Sequence, residues 1–181
     1  EGSTLTVTPD ADFYGNILVS ITVSDGQASD SGSFTLTVNA INDAPVIAAI
    51  ADQVIDEDTS LTLTLSVSDV DFNDDLTISA VSTDSDASIV VDGTTLTVTP
   101  EDDYNGSFTV DVSVSDGNIS VSTSFTLTVN AVNDAPILSD LLDDDIDEDG
   151  VYTLDLSATD VDQDDLTYFA QVDGNSSASV E

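Results

Sequence analysis

The chain repeats itself with a period of 91 residues, and this periodicity constrains its fold more than any other feature. The motif Asn-Asp-Ala-Pro occurs at 42–45 and again at 133–136, and Leu-Thr-Val-Thr-Pro occurs at 5–9 and again at 96–100. A fixed period of this length indicates tandem structural units that stack along the chain.

The Asn-Asp-Ala-Pro motif marks the start of each unit. We therefore predict the C-terminal part of one repeat at 1–41, a complete repeat at 42–132 and the N-terminal part of the next repeat at 133–181. The two ends have nearly the same phase, since Glu1 aligns with Asp92 and Glu181 with about Val90. Either the chain is a window of a longer array, which we favour, or identical chains complete each other's split domains in a filament.

Apolar side chains alternate with Ser and Thr at 61–67, 108–114 and 125–129, which is the pattern of half-buried β-strands. Shorter candidate strands lie at 46–55, 76–82, 87–92 and 95–99. No segment has helical apolar spacing with caps. The sequence predicts an all-β protein made of tandem Greek-key, immunoglobulin-like β-sandwiches, with about seven strands per repeat.

The charge of the chain excludes several partners. It has 37 Asp and Glu and no Lys, Arg or His, so its formal net charge is -37. Side-chain salt bridges cannot form, and we expect cations to offset the self-repulsion. Such a polyanion is repelled by nucleic acid and by anionic lipid surfaces. No apolar run approaches the roughly 18 residues that membrane insertion needs.

The same composition argues against an enzyme and limits the metals that the chain can bind. Without His, Cys or Lys, only paired carboxylates are left for acid–base catalysis, and no pair stands out, so we expect no catalytic residues. Zinc, copper and iron usually take His or Cys ligands. The absence of Cys also removes disulfides, but it does not assign a cellular compartment.

Asp69 and Asp71 are two positions apart, which directs both carboxylates to the same side of an extended backbone. Their repulsion favours a divalent cation, and Ca²⁺ suits oxygen ligands in flexible geometry. The alternative is a solvated acidic surface, in which Asp serves only as a turn former. Because the recurring acids fall in loops and at strand ends, we favour calcium.

These motifs resemble those of a known family. The linker Val38-Asn39-Ala40-Ile41-Asn42-Asp43-Ala44-Pro45, the Asp-Glu-Asp at 56–58, the Asp-Val-Asp at 69–71 and the Ser-Asp-Gly at 115–117 resemble cadherin repeats, and still more the cadherin-like tandem repeats of large bacterial surface adhesins. The resemblance implies cadherin-like sandwiches with Ca²⁺ bound between successive domains.

The resemblance also implies the metal ligands. For the first junction they are Asn42 and Asp43 of the linker, Asp69, Asp71 and Asp116 of the following domain, and Asp10 or Asp12 of the preceding one. For the second junction they are Glu57 and Asp103, then Asn133 and Asp134 of the linker, then Asp160 and Asp162.

Two departures from the family pattern predict fewer ions per junction than the family usually has. Ala40 and Ala131 stand where the linker of cadherins begins with an acid. Pro100-Glu101-Asp102-Asp103 replaces a basic–acidic motif near the base of the domain.

The functional expectation is a calcium-rigidified structural or adhesive spacer in a large extracellular surface protein or filament, such as one involved in cell adhesion or biofilm formation. Its partners would be neighbouring repeats of the same chain and, in a filament, identical chains. The alternative is a lectin-like or partner-binding adhesive module. The absence of Trp and a total of only ten Phe and Tyr make a sugar-binding platform less favoured.

Overall fold

The computed structural model describes residues 3–71, 74–83 and 87–171 of the chain. This part is all-β and contains no helix, so no helix in it could cross a membrane. Its strands are β1 (Gly15–Ser24), β2 (Ser29–Val38), β3 (Val46–Ile47), β4 (Gln53–Asp56), β5 (Leu61–Thr64), β6 (Val67–Ser68), β7 (Thr77–Ser82), β8 (Ala87–Asp92), β9 (Thr95–Pro100), β10 (Gly106–Ser115), β11 (Ser120–Asn130), β12 (Ile137–Leu138) and β13 (Ala158–Thr159).

Strands β3 to β11 form a two-sheet β-sandwich. One sheet has the order β4-β11-β10-β7 and the other has the order β5-β9-β8, while β3 and β6 form a short ladder of their own. Neighbouring strands are antiparallel, except that β4 runs parallel to β11. The predicted all-β sandwich is confirmed.

Two of the predicted strands are each divided between different ladders. The run predicted at 46–55 forms β3, which pairs with β6, and then β4, which pairs with β11. The run at 61–67 likewise forms β5 and β6. The Asp52 carboxylate accepts the backbone N–H of Thr126 at 2.7 Å, which attaches the chain to β11 just before β4 begins. The alternation of apolar and polar residues cannot show where the chain passes from one ladder to the next. The reason is that the same face of the strand is buried in both ladders.

The core lies between the two sheets and consists of the alternating side chains that the sequence singled out. Val110 and Val112 of β10 and Leu127 of β11 are fully buried, and they pack with Leu96 and Val98 of β9 from the opposite sheet. The intervening Ser and Thr side chains point away from this core, because successive residues of a strand face opposite sides.

The segments on either side repeat parts of this sandwich. Strands β1 and β2 pair in the register of β10 and β11, with Gly15 opposite Val38 as Gly106 is opposite Val129. Strands β12 and β13 pair like β3 and β6. The predicted segments 1–41 and 133–181 extend beyond the described residues at positions 1–2 and 172–181.

Candidate metal sites

Carboxylates gather at the two opposite ends of the β10–β11 hairpin. The first-junction cluster lies beside the turn that joins these strands, and the second-junction cluster lies where β11 ends. Strand β10 has 10 residues, so the two ends are roughly 30 Å apart. The first-junction cluster comprises Asn42, Asp43, Asp69, Asp71, Asp74 and Asp116; the second-junction cluster comprises Glu57, Asp58, Asp103, Asn133, Asp134, Asp160 and Asp162.

In the first-junction cluster, hydrogen bonds attach the linker to the sandwich. Asn42 Nδ2 donates to Asp116 Oδ2 at 2.9 Å, and the N–H of Asp43 donates to Asp71 Oδ2 at 2.7 Å. The N–H of Asp71 in turn donates to Asp69 Oδ1 at 2.9 Å, which holds the two predicted partners of the Asp-x-Asp motif together. Asn42, Asp43, Asp69, Asp71 and Asp116 are therefore brought to one place.

Three carboxylates of this cluster lie close enough to share one ion. Asp69, Asp74 and Asp116 each place an oxygen within 4.8 Å of the other two. Oxygens on opposite sides of a Ca²⁺ are about 5 Å apart, because each lies at about 2.3 to 2.6 Å from the ion. Asp69 Oδ2 is buried and has no hydrogen-bond partner among the described residues, so one oxygen of the group is left for a ligand.

The second-junction cluster is organised by Glu57, which is 4% exposed. Its carboxylate accepts the backbone N–H of Val132, in the linker that leaves β11, and the side-chain N–H of Asn105 at 3.4 Å. The N–H of Glu57 itself donates to the carbonyl oxygen of Asn130 at 2.9 Å. A single acid thus holds the linker against the base of the sandwich.

Asp134 belongs to two groups of carboxylates at once. Glu57, Asp134 and Asp162 have one oxygen each within 4.8 Å of the others, and so do Asp58, Asp103 and Asp134. Asp134 Oδ2 is buried and has no hydrogen-bond partner in the described part of the chain. The backbone N–H of Asp134 donates to Asp162 Oδ2 at 2.6 Å, and that of Asp162 to Asp160 Oδ1 at 3.0 Å. The arrangement offers two adjacent sites that share Asp134.

Burial and, after it, repulsion between acids shift pKa values in both clusters. Burial, followed by the nearby negative charges, raises the pKa of Asp74, of Asp103 and of Asp134. Asp162, which lies beyond the linker, is among the charges that raise the pKa of Asp103. A raised carboxyl pKa means that the charged form is disfavoured where it stands, and a bound cation would reverse that.

The pKa of Asp116 is shifted in the opposite direction. Its Oδ1 accepts the backbone N–H groups of Asn118 and Ile119, both at 2.6 Å, and Asn42 donates to its other oxygen. The bond from Ile119, followed by that from Asn42, lowers the pKa of Asp116. Its carboxylate is therefore held ionised by the turn that it closes.

The ligand groups of both clusters are of the kind that Ca²⁺ takes. Each combines carboxylates with the amide group of a linker Asn, and each contains a buried carboxylate oxygen that has no hydrogen-bond partner among residues 3–71, 74–83 and 87–171. Hard oxygen ligands in flexible geometry are those that Ca²⁺ takes in proteins, usually 6 to 8 of them. Water and backbone carbonyls would complete the coordination.

The structure brings together most of the residues that the sequence nominated. Asp10 and Asp12 are different, because they lie in the turn before β1 and are in none of the carboxylate groups found among the described residues. Sequence reasoning did not nominate Asp58 and Asp74. Both belong to motifs that recur with the repeat, Asp-Glu-Asp and Asp-Asp-Leu, and this recurrence is the signal that could have identified them.

Part of the chain matches the model of a known protein family. The family model of the Cadherin-like domain matches residues 41–130. Among solved structures, the chain is similar to the EC1-2 fragment of human protocadherin-24, with 14% identity and a TM-score of 0.46 over 67% of this chain and 68% of that one. It is similar to domains 1–6 of the surface layer protein SbsC, with 17% identity and a TM-score of 0.41 over 70% of this chain and 18% of that one.

An endo-fucoidan hydrolase from glycoside hydrolase family 107 is also similar, with 23% identity and a TM-score of 0.38 over 68% of this chain. The present chain spans 20% of the length of that hydrolase. No curated protein matches the sequence.

Proposed function

Because residues 41–130 form a cadherin-like domain, which indicates an adhesive or structural module, we propose that the chain is a calcium-stiffened spacer of a large extracellular surface protein or filament. Calcium would bind at the junctions between repeats and hold successive sandwiches at a set angle. Neighbouring repeats of the same chain would be its immediate partners. The extracellular location is supported by the family, since cadherin-like domains are typically extracellular.

One observation carries this proposal: the carboxylates of the second-junction cluster come from both sides of a linker. Glu57 and Asp103 belong to the complete repeat, Asp134 lies in the linker, and Asp162 follows in the next segment. A site built in this way can be completed only when the two segments approach each other. Ion binding and the geometry of the junction are therefore coupled.

The charges of these residues make the coupling strong. Asp134 stands among four other acids, and the chain has no basic side chain to offset them. Without a cation, their repulsion drives the linker and the next segment away from the base of the sandwich. Calcium would supply two positive charges and a shared coordination sphere, which converts this repulsion into a crosslink. Glu57 meanwhile keeps the linker in place through Val132.

We propose no catalytic role and no sugar-binding role for this chain. The clusters consist of acids and amides, most of them exposed or half-buried, and the outward faces of the strands carry Ser and Thr. Glycan binding by the isolated complete repeat would revive the lectin-like alternative.

Small-angle X-ray scattering of the chain in calcium and in chelator tests the proposal. We expect a defined maximum dimension in calcium, and a broader distribution of interatomic distances in chelator. Asp134→Asn should reduce the difference between the two conditions. Asp111→Asn, on an exposed position of β10, removes the same charge away from the junctions and should preserve the difference. Identical scattering curves in calcium and in chelator would contradict the proposal.

A further inference from the structure

The pair Asn105-Gly106 lies where the chain enters β10, beside the second-junction cluster. Asn105 is the one asparagine of the sequence that precedes a glycine. Gly106 recurs with the repeat as Gly15, and both have a positive φ, +148° and +127°, so the backbone conformation accounts for the glycine. The residue equivalent to Asn105 is Tyr14, so the repeat does not account for the asparagine.

An Asn-Gly sequence can lose ammonia without an enzyme. The backbone nitrogen of the glycine attacks the side-chain carbonyl carbon of the asparagine, and a five-membered succinimide ring closes. Water then opens the ring to aspartate or isoaspartate, so a neutral amide becomes a carboxylate. Glycine favours the attack because no side chain stands beside its nitrogen and its backbone rotates freely.

The structure leaves this pair open to the reaction. Asn105 and Gly106 are both exposed, so water can reach them. Asn105 precedes the first residue of β10, and no strand ladder holds its backbone. Its side-chain N–H donates to Glu57 Oε2 at 3.4 Å, which is longer than the usual range of about 2.7 to 3.2 Å. The amide is therefore only weakly restrained.

The Asp-Gly pairs in the hairpin turns are held against the same attack. The carboxylate of Asp116 accepts two backbone N–H groups at 2.6 Å, and the N–H of Gly117 donates to the hydroxyl of Ser115 at 3.1 Å. The pair Asp25-Gly26 is held in the same way. In both turns the carboxylate and the glycine nitrogen are bound to other groups. Exposure and weak restraint thus distinguish Asn105 from these positions.

A carboxylate at position 105 would change the second-junction cluster. Glu57, which accepts from Asn105, is 4% exposed, and its other oxygen accepts the N–H of Val132 in the linker. An ionised carboxylate has no hydrogen to donate to Glu57, so an attraction becomes a repulsion between two anions. The chain has no basic side chain to offset the added charge.

We propose that Asn105 is a site of spontaneous deamidation, which adds one carboxylate to the second-junction cluster as the protein ages. A bond forms between the nitrogen of Gly106 and Cγ of Asn105, and the Cγ–Nδ2 bond breaks. The amide nitrogen leaves as ammonia with the proton of Gly106, and water is the only co-reactant. No step requires a bound cation, so the reaction is independent of the stiffening proposal.

Peptide mapping by mass spectrometry tests the proposal after incubation of the folded chain at mildly alkaline pH. We expect aspartate and isoaspartate to accumulate at position 105. Asn118 is equally exposed but precedes the branched side chain of Ile119, and it should stay intact over the same period. Asn105→Gln should abolish the reaction at this position, because the longer side chain closes a ring much less readily.

The same chain unfolded in urea is the reference for the reactivity of the bare sequence. Intact Asn105 in the folded chain, over a period in which the unfolded chain converts it, would overturn the proposal. So would equal conversion at Asn118 in the folded chain.

Asn105→Asp reproduces the aspartate product in a uniform sample. Its thermal midpoint in chelator should lie below that of the unaltered chain, because the new carboxylate faces Glu57. Gln27→Glu makes the same change from amide to acid in the exposed turn between β1 and β2, and should leave the midpoint unchanged. Equal midpoints for all three chains would overturn the effect on the cluster. Neither measurement depends on calcium, so failure of the stiffening proposal would leave both results unchanged.

Discussion

Replacing Glu57 by Gln should weaken calcium binding at the second junction. The effect should be much larger than that of replacing Glu148, which occupies the same position in the next repeat. Glu57 is buried, and its oxygen lies within 4.8 Å of those of Asp134 and Asp162. Gln has nearly the same size and keeps one carbonyl oxygen, so the variant removes the charge of the site and one of the two acceptors, which serve Val132 and Asn105.

The size of this loss of calcium affinity follows from the distance between the carboxylate and the ion. A carboxylate charge at about 2.4 Å from Ca²⁺ contributes about 3.5 kcal/mol even at the dielectric constant of water. The amide oxygen of Gln and the remaining carboxylates offset part of this loss. We therefore expect a net cost of about 1.4 to 2.8 kcal/mol, which is a loss of affinity of about 10-fold to 100-fold.

Isothermal titration of calcium into the unaltered chain and the variant measures this change. Glu148→Gln is the matched control, because Glu148 is the equivalent of Glu57 in the next repeat and is exposed. Both variants remove one negative charge, so general electrostatics affects them alike. Equal titration curves for the two variants would refute the assignment of Glu57 as a ligand.

Two further predictions concern pH and backbone strain. The carboxyls with a raised pKa take up protons on folding, so in chelator the free energy of unfolding should increase as the pH falls from neutral towards the usual pKa range of Asp. The lowered pKa of Asp116 removes stability only at lower pH, and in excess calcium the trend should reverse because protons compete for the ligands. Thermal melts in both buffers check this, and midpoints that move in the same direction would contradict it. Gly106→Ala should destabilise the complete repeat by about 1 to 3 kcal/mol, since φ is +148° and the added Cβ would lie 3.1 Å from the Tyr104 hydroxyl. Gly32→Ala, with open space around it, should change the denaturant midpoint little; equal effects of the two substitutions would contradict the argument.

Much of the fold could be predicted because alternation and burial coincide. Val110, Val112 and Leu127 were nominated by period-2 spacing alone, and all three are fully buried. The division of 46–55 between two ladders was not predictable in this way. It depends on where Asp52 meets the backbone of β11, a contact between residues 74 positions apart.

The candidate sites were predictable to a similar degree. The Asp-x-Asp motif and the linker motif identified residues that hydrogen bonds hold together, as in the bond from Asp43 to Asp71. Asp58 and Asp74 entered the carboxylate groups only through tertiary structure, because their oxygens approach acids that are distant along the chain. Spacing in the sequence shows which residues are neighbours on one strand. At the ends of a sandwich, loops from several strands lie side by side, and sequence spacing does not show this.

By itself, the sequence determined the repeat, the strand pattern of the complete unit and the acidic chemistry of its junctions. Tertiary structure decided which of those patterns form strands. Leu-Thr-Val-Thr-Pro belongs to strand β9 at 96–100, where β5 and β8 flank it, yet the identical residues at 5–9 form no strand. A strand needs partners for its backbone hydrogen bonds and a sheet to cover its apolar face, and neither is contained in the five residues themselves.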